Sequence, residues 1–145
     1  MTTKPPKVFA DLRKRLATLG KARILVGVLG DAAGRAHPNG HGQTVGQIAA
    51  ANHYGTSTVP ARPFLTQTAR TRDADIRRVV GKALKLEDPA AAADLIGAYV
   101  VGLVQETIAD GVPPPNAPET IARKGSDTPL IDTGILRQSI SYGVR

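Results

Sequence analysis

With 145 residues, 41% apolar but only 3% aromatic, the chain fits one domain (residues 1–145) whose modest core has to be built from Ala, Val, Leu and Ile rather than from rings. The lack of cysteine excludes a disulfide framework, a thiolate metal site and a cysteine nucleophile, and no apolar run approaches the roughly 18 residues of a membrane span, so no membrane partner is expected. A formal net charge of +7, from 19 Lys and Arg against 12 Asp and Glu, makes nucleic acid or an acidic partner worth weighing.

Met1 to Lys7 lacks the apolar region of a secretory signal, which predicts a soluble protein made in the cytoplasm. Val8, Leu12, Leu16 and Leu19 recur at three- and four-residue spacing and predict an amphipathic helix over about 6–19, capped by Gly20. Seven basic residues lie between Lys4 and Arg23 against the single acid Asp11, and Lys7, Arg13, Lys14 and Arg15 form a candidate basic face; a merely solvated helix face explains them as well. Arg23 to Leu29 is apolar on both sides of an extended chain and predicts a central strand. From Gly30 to Gln43, four glycines with Pro38 and Asn39 predict a long flexible loop, about 30–43, able to make contacts through Arg35, His37 and His41. Two histidines in a Gly-rich loop, with neither Cys nor matched carboxylates, make a poor metal site, so no metal is assigned.

Val45 to Tyr54 predicts a short helix ended by Gly55, and Val59 to Pro63, with two prolines, predicts a stiff extended spacer. The stripe Ile76, Val79, Val80, Ala83 and Leu84 predicts one long helix over about 64–86, weakened at Gly81. Asp88 and Pro89 then mark the cap and first turn of a second, which runs to Asp110 and stops at Gly111; the two helices should pack antiparallel. A Pro-rich loop, about 112–118, follows, with no more than a short helical turn over 119–124. The alternation Leu136, Gln138, Ile140, Tyr142, Val144 predicts a final strand. The fold expected is α+β: a small mixed or antiparallel sheet packed against two long helices and an N-terminal helix.

Chemistry-bearing motifs are missing. There is no G-x-S-x-G elbow for a serine nucleophile, and Gly27, Gly30 and Gly34 match neither the dinucleotide fingerprint nor a phosphate loop, so neither an enzyme nor a bound cofactor is expected. A basic nucleic-acid-binding module is the main alternative, since the N-terminal helix can contact phosphates, although stacking aromatics are nearly absent. A small hydrolase, which would need His53 or another His beside Ser or Asp, is the second.

Two stretches carry a resemblance. Asn52-His53-Tyr54-Gly55-Thr56, followed by Val59-Pro60-Ala61-Arg62-Pro63-Phe64-Leu65, is one; the other is Lys124 to Gly134, containing Pro129-Leu130-Ile131-Asp132-Thr133-Gly134, with Leu136, Arg137, Ser139 and Ile140. In this order, over about 43–144, they resemble the tail-completion and neck (head-to-tail joining, tail terminator-like) proteins of long-tailed bacteriophages. His53 departs from the resemblance, because an acidic residue is common there. The resemblance implies a virion structural protein: a small α+β domain that closes into a ring, commonly of six copies, at the head–tail junction. It implies as partners copies of itself, neighbouring connector and tail-tube proteins, and passing DNA in transient, non-specific contact. Ring closure needs two different patches to meet. Candidates for those contacts are Arg35, His37, His41, Arg62, Phe64, Pro114, Asp132 and Arg137. Arg62, held between two prolines, suits a fixed ion pair within the subunit or across an interface, and Asp132-Thr133-Gly134 suits a tight turn that sets the register of the last strand.

Overall fold

The computed structural model describes residues 7–125 and 134–145; Asp132 and Thr133 lie outside them. The order of elements is α1 (Lys7–Leu19), β1 (Ile24–Val28), α2 (Gly30–Gly34), α3 (Val45–Tyr54), α4 (Phe64–Thr71), α5 (Asp73–Ala83), α6 (Pro89–Asp110), α7 (Pro118–Lys124), α8 (Ile135–Gln138) and β2 (Ile140–Val144). The architecture is α+β, with helices gathered around a two-stranded antiparallel sheet.

The organising element is α6, which forms where its local signals place it. The Asp88 carboxylate accepts a hydrogen bond from the Ala90 N–H at 2.9 Å, Pro89 occupies the first turn, and Gly111 ends the helix. Its 22 residues are long and apolar enough to cross a membrane, which corrects the expectation that no run reaches that length. Here that apolarity serves a core: α6 touches α1, α4, α5, α8 and both strands. Ala92 and Ile96 pack with Ala83 at one end, and Val104 and Ile108 pack with Phe64, Val112 and Leu136 at the other.

The helix expected over 64–86 is two helices, broken at Arg72 (φ −109°, ψ 18°) rather than weakened at Gly81. The Arg72 guanidinium reaches Glu106 on α6 at 3.0 Å and Asp75 at 3.5 Å. Asp73 and Asp75 stand in the first turn of α5, where negative charge meets the positive end of a new helix dipole. The antiparallel packing on α6 is as expected, since Thr68 meets Thr107, Arg72 meets Glu106 and Arg78 meets Tyr99 in descending order.

β1 pairs with β2 from Ile24↔Val144 to Val28↔Ile140, so strands distant in sequence do share a sheet. Among the described residues β1 has one neighbour and is an edge, not a central strand; Leu25 is 39% exposed in consequence. The final strand is shorter than expected. Leu136 and Gln138 belong to α8, which turns Leu136 into the core beside Phe64, while Ile140 begins the ladder. The sheet lies on α6 through a close approach at Gly97, where a Cβ would stand 2.3 Å from the Tyr142 ring.

The segment 30–43 is also more ordered than expected. It contains the short helix α2 and an isolated bridge, Ala36↔Thr44, that leads into the capping box of α3 formed by Thr44 and Gln47. The apolar stripe of α1 does not enter the core. Val8, Phe9, Leu12 and Leu16 are 75%, 59%, 40% and 43% exposed, and only Leu19 packs inward, against the Ala83 and Ala92 cluster.

Candidate functional site

Arg62 lines a concavity among the described residues. Gly55 ends α3 at φ +78°, a conformation that disfavours a side chain, and turns the chain so that the stiff 59–63 segment runs back along α3. The Arg62 N–H then donates to the Asn52 carbonyl at 2.6 Å, which fixes the backbone from which the guanidinium leaves. The side chain is 6% exposed. Its Nε donates to the Pro114 carbonyl at 2.8 Å, and one Nη donates to the Pro115 carbonyl at 3.1 Å and to the Asn116 side-chain oxygen at 3.4 Å.

The Pro-rich segment explains why an arginine is suited to this position. Residues 113–116 lie outside any helix or strand, so their carbonyls need donors from elsewhere, and a planar fork meets two consecutive ones. The peptide between Pro113 and Pro114 is cis. Burial lowers the Arg62 pKa from its ordinary range, and no described carboxylate stands against the guanidinium. Among the described residues Arg62 therefore makes no ion pair within the subunit and bonds to neutral oxygens instead.

Above Arg62 lies a cleft of about 540 Å³, walled by α3, the 58–62 segment, residues 114–117, α7 and the start of α8. Asn52, Val59 and Pro60 from the first resemblance stretch face Gly134, Ile135 and Leu136 from the second across it. His37 also lines the cleft and is 9% exposed; its Nδ1 accepts the Asn39 N–H at 3.2 Å, which spends that nitrogen on the local turn. His41 is exposed at φ +49°. Among the described residues no three His, Cys, Asp or Glu side chains converge.

The remaining candidates separate. Phe64, proposed as a contact residue, is 1% exposed and belongs to the core, because the first turn of α4 points it at Ile108 and Val104. Arg62 is likewise internal. Arg35 is exposed while its carbonyl accepts the Val45 N–H, and Arg137 is exposed while its carbonyl accepts from Gln105. Pro114 shows its ring to solvent and its carbonyl to Arg62. Asp132 lies outside the described residues. Lys7, Arg13 and Lys14 are exposed on α1 and Arg15 is half-buried beside Thr18, Glu87 and Pro89.

Two residues lining the cleft, Asn116 and Arg123, carry no motif in the sequence, and outside the cleft Tyr54 is 79% exposed. Tyr54 had a signal, being one of three tyrosines in an aromatic-poor chain and standing inside the first stretch. His53 beside it packs edge-on against Phe64, with ring centroids 5.2 Å apart, and its buried Nδ1 has no hydrogen-bond partner among the described residues. No protein-family model, curated protein or solved structure matches the chain.

Proposed function

We propose that this chain is a structural protein of a tailed bacteriophage. It would form a ring, of six copies by resemblance, that completes the tail and joins it to the head, with DNA passing through the channel. In this reading it is not an enzyme, and it acts in the virion after synthesis in the host cytoplasm. The observation that carries the reading is the meeting of the two resemblance stretches: Leu136 shares a core with Phe64, and Gly134 and Ile135 face Asn52 and Pro60 across one cleft. Residues held together in this way belong to one structural unit, which supports taking the two stretches together. The surface also favours assembly, since Tyr54 and the apolar stripe of α1 are left without cover in a single copy.

Light scattering on the purified chain, alone and mixed with tail tubes, tests the reading. A ring-sized species, or a monomer that becomes ring-sized on tails, is the expected result. A monomer indifferent to tails but retained by DNA in a salt-sensitive way would replace it with the nucleic-acid reading. Tyr54→Ala should leave the melting temperature within about 1 °C, as expected for an exposed site, and should weaken assembly.

A further inference from the structure

We propose that the cleft above Arg62 is a binding site for a single carboxylate, carried as an aspartate or glutamate side chain on a short extended segment of another protein. The site goes beyond ring formation, because a monomer would possess it too. Arg62 has committed Nε and one Nη to the carbonyls of Pro114 and Pro115. Its other Nη has no hydrogen-bond partner among the described residues. It is not wholly enclosed, for the one fully buried unpartnered side-chain nitrogen or oxygen among them is His53 Nδ1. The side chain is more than nine-tenths buried and lines the cleft, so its remaining N–H groups are offered there. Among the described residues this buried cation is bonded only to neutral oxygens, and an anion arriving at that Nη would add the charge they lack.

The surroundings select the anion. Arg123 stands at the rim and adds a second positive charge that can draw the ligand in. Val59, Pro60, Ile48 and Ile135 make the walls apolar, which suits the backbone and aliphatic neighbours of a peptide carboxylate. A phosphate group carries close to two negative charges and needs several donors for its oxygens. Arg62 has one Nη left to offer, because the Pro114 and Pro115 carbonyls hold its Nε and its other Nη, so it supplies few of those donors. With so few aromatic residues there is also little for a nucleotide base to stack on. A cleft of about 540 Å³ is within the range that encloses a small ligand or a few residues of peptide.

The test uses the full chain, ¹⁵N-labelled, titrated with acetyl-Leu-Asp-Pro-amide, with the same peptide carrying Asn in place of Asp, and with inorganic phosphate. The Asp peptide should shift the Arg62 Nε–H resonance and the amides of Asn52 and Gly134. The Asn peptide should bind about tenfold more weakly, the usual loss when a charged acceptor is made neutral. Arg123→Gln leaves the hydrogen bonds of Arg62 intact and should weaken the Asp peptide about threefold to tenfold with the amides of α6 unmoved. Equal binding of the two peptides, or no shift at Arg62 with either, would overturn the site. Phosphate displacing the Asp peptide would overturn its assignment to carboxylate. None of these readouts depends on ring formation, so a chain that forms no ring could still show the site, and a ring could form without it.

Discussion

Gly97→Ala is the sharpest test of how α6 and the sheet are joined. The new methyl would stand 2.3 Å from Cδ2 and 2.6 Å from Cγ of Tyr142, both ring atoms on a strand paired with β1, so the ring has to leave its seat. A fully buried tyrosine removes about 150–250 Å² from water. Tyr142 is half-buried, so displacement costs about 2–3 kcal/mol at about 25 cal/mol per Å². Alanine in a helix returns about 1 kcal/mol relative to glycine. The net loss is about 1–2 kcal/mol, or a melting temperature lower by about 5 °C for a domain of this size. The decisive assay is the double-mutant cycle with Tyr142→Ala, followed by urea or thermal unfolding. Without the ring, Gly97→Ala should stabilise by about 1 kcal/mol, giving a coupling of about 2–3 kcal/mol. If Gly97→Ala has the same effect in both backgrounds, the close approach does not hold the sheet to α6.

Other expectations concern the core and the site. Arg62→Lys should destabilise by about 2 kcal/mol in urea unfolding, because an ammonium cannot serve two consecutive carbonyls as the fork does; a change under about 0.5 kcal/mol would show that the clamp contributes little. Thr68 and Thr107 share a buried hydroxyl contact at 2.9 Å while bonding the Phe64 and Leu103 carbonyls. Thr107→Val should cost about 1 kcal/mol, and adding Thr68→Val should cost less than a second such step, since both hydroxyls are then gone. Desolvation holds the His53 pKa below its ordinary 6.5, so as pH falls through that value the unfolded chain takes up the proton first. The contribution is complete above about pH 6.5 and is lost towards the lower folded pKa. His53→Phe should therefore flatten the fall in melting temperature between about pH 7.5 and 5.5, and an unchanged slope would assign the fall to other groups.

Elements fixed by local chemistry were legible in the sequence. The Asp88–Pro89 start and Gly111 stop of α6 and the Gly55 end of α3 are decided within a few residues of each boundary. Elements decided by distant contacts were not. The break at Arg72 goes with a bond to Glu106 on another helix, and α8 exists where Leu136 turns toward Phe64, although the alternating pattern there predicts a strand. The site shows the same division. Two flanking prolines marked Arg62 as held, but its acceptors are backbone oxygens that leave no signature in residue type. The periodicity of α1 predicts one face of a helix, which forms, but it carries no information about whether that face meets the chain's own core.

The pairing of β1 with β2 also sets an order of events during synthesis. Val28 bonds opposite Ile140, so β1 waits for more than a hundred further residues before its partner exists, whereas α4, α5 and α6 can collapse on one another as they appear. Throughout that interval Ile24-Leu25-Val26-Gly27-Val28 is a short uncharged segment of high β-propensity, the composition that pairs with copies of itself on other nascent chains. Lys21 and Arg23 stand just before it, and positive charge flanking such a segment opposes strand-to-strand association. Charge placed here would bear on folding yield as well as on later contacts.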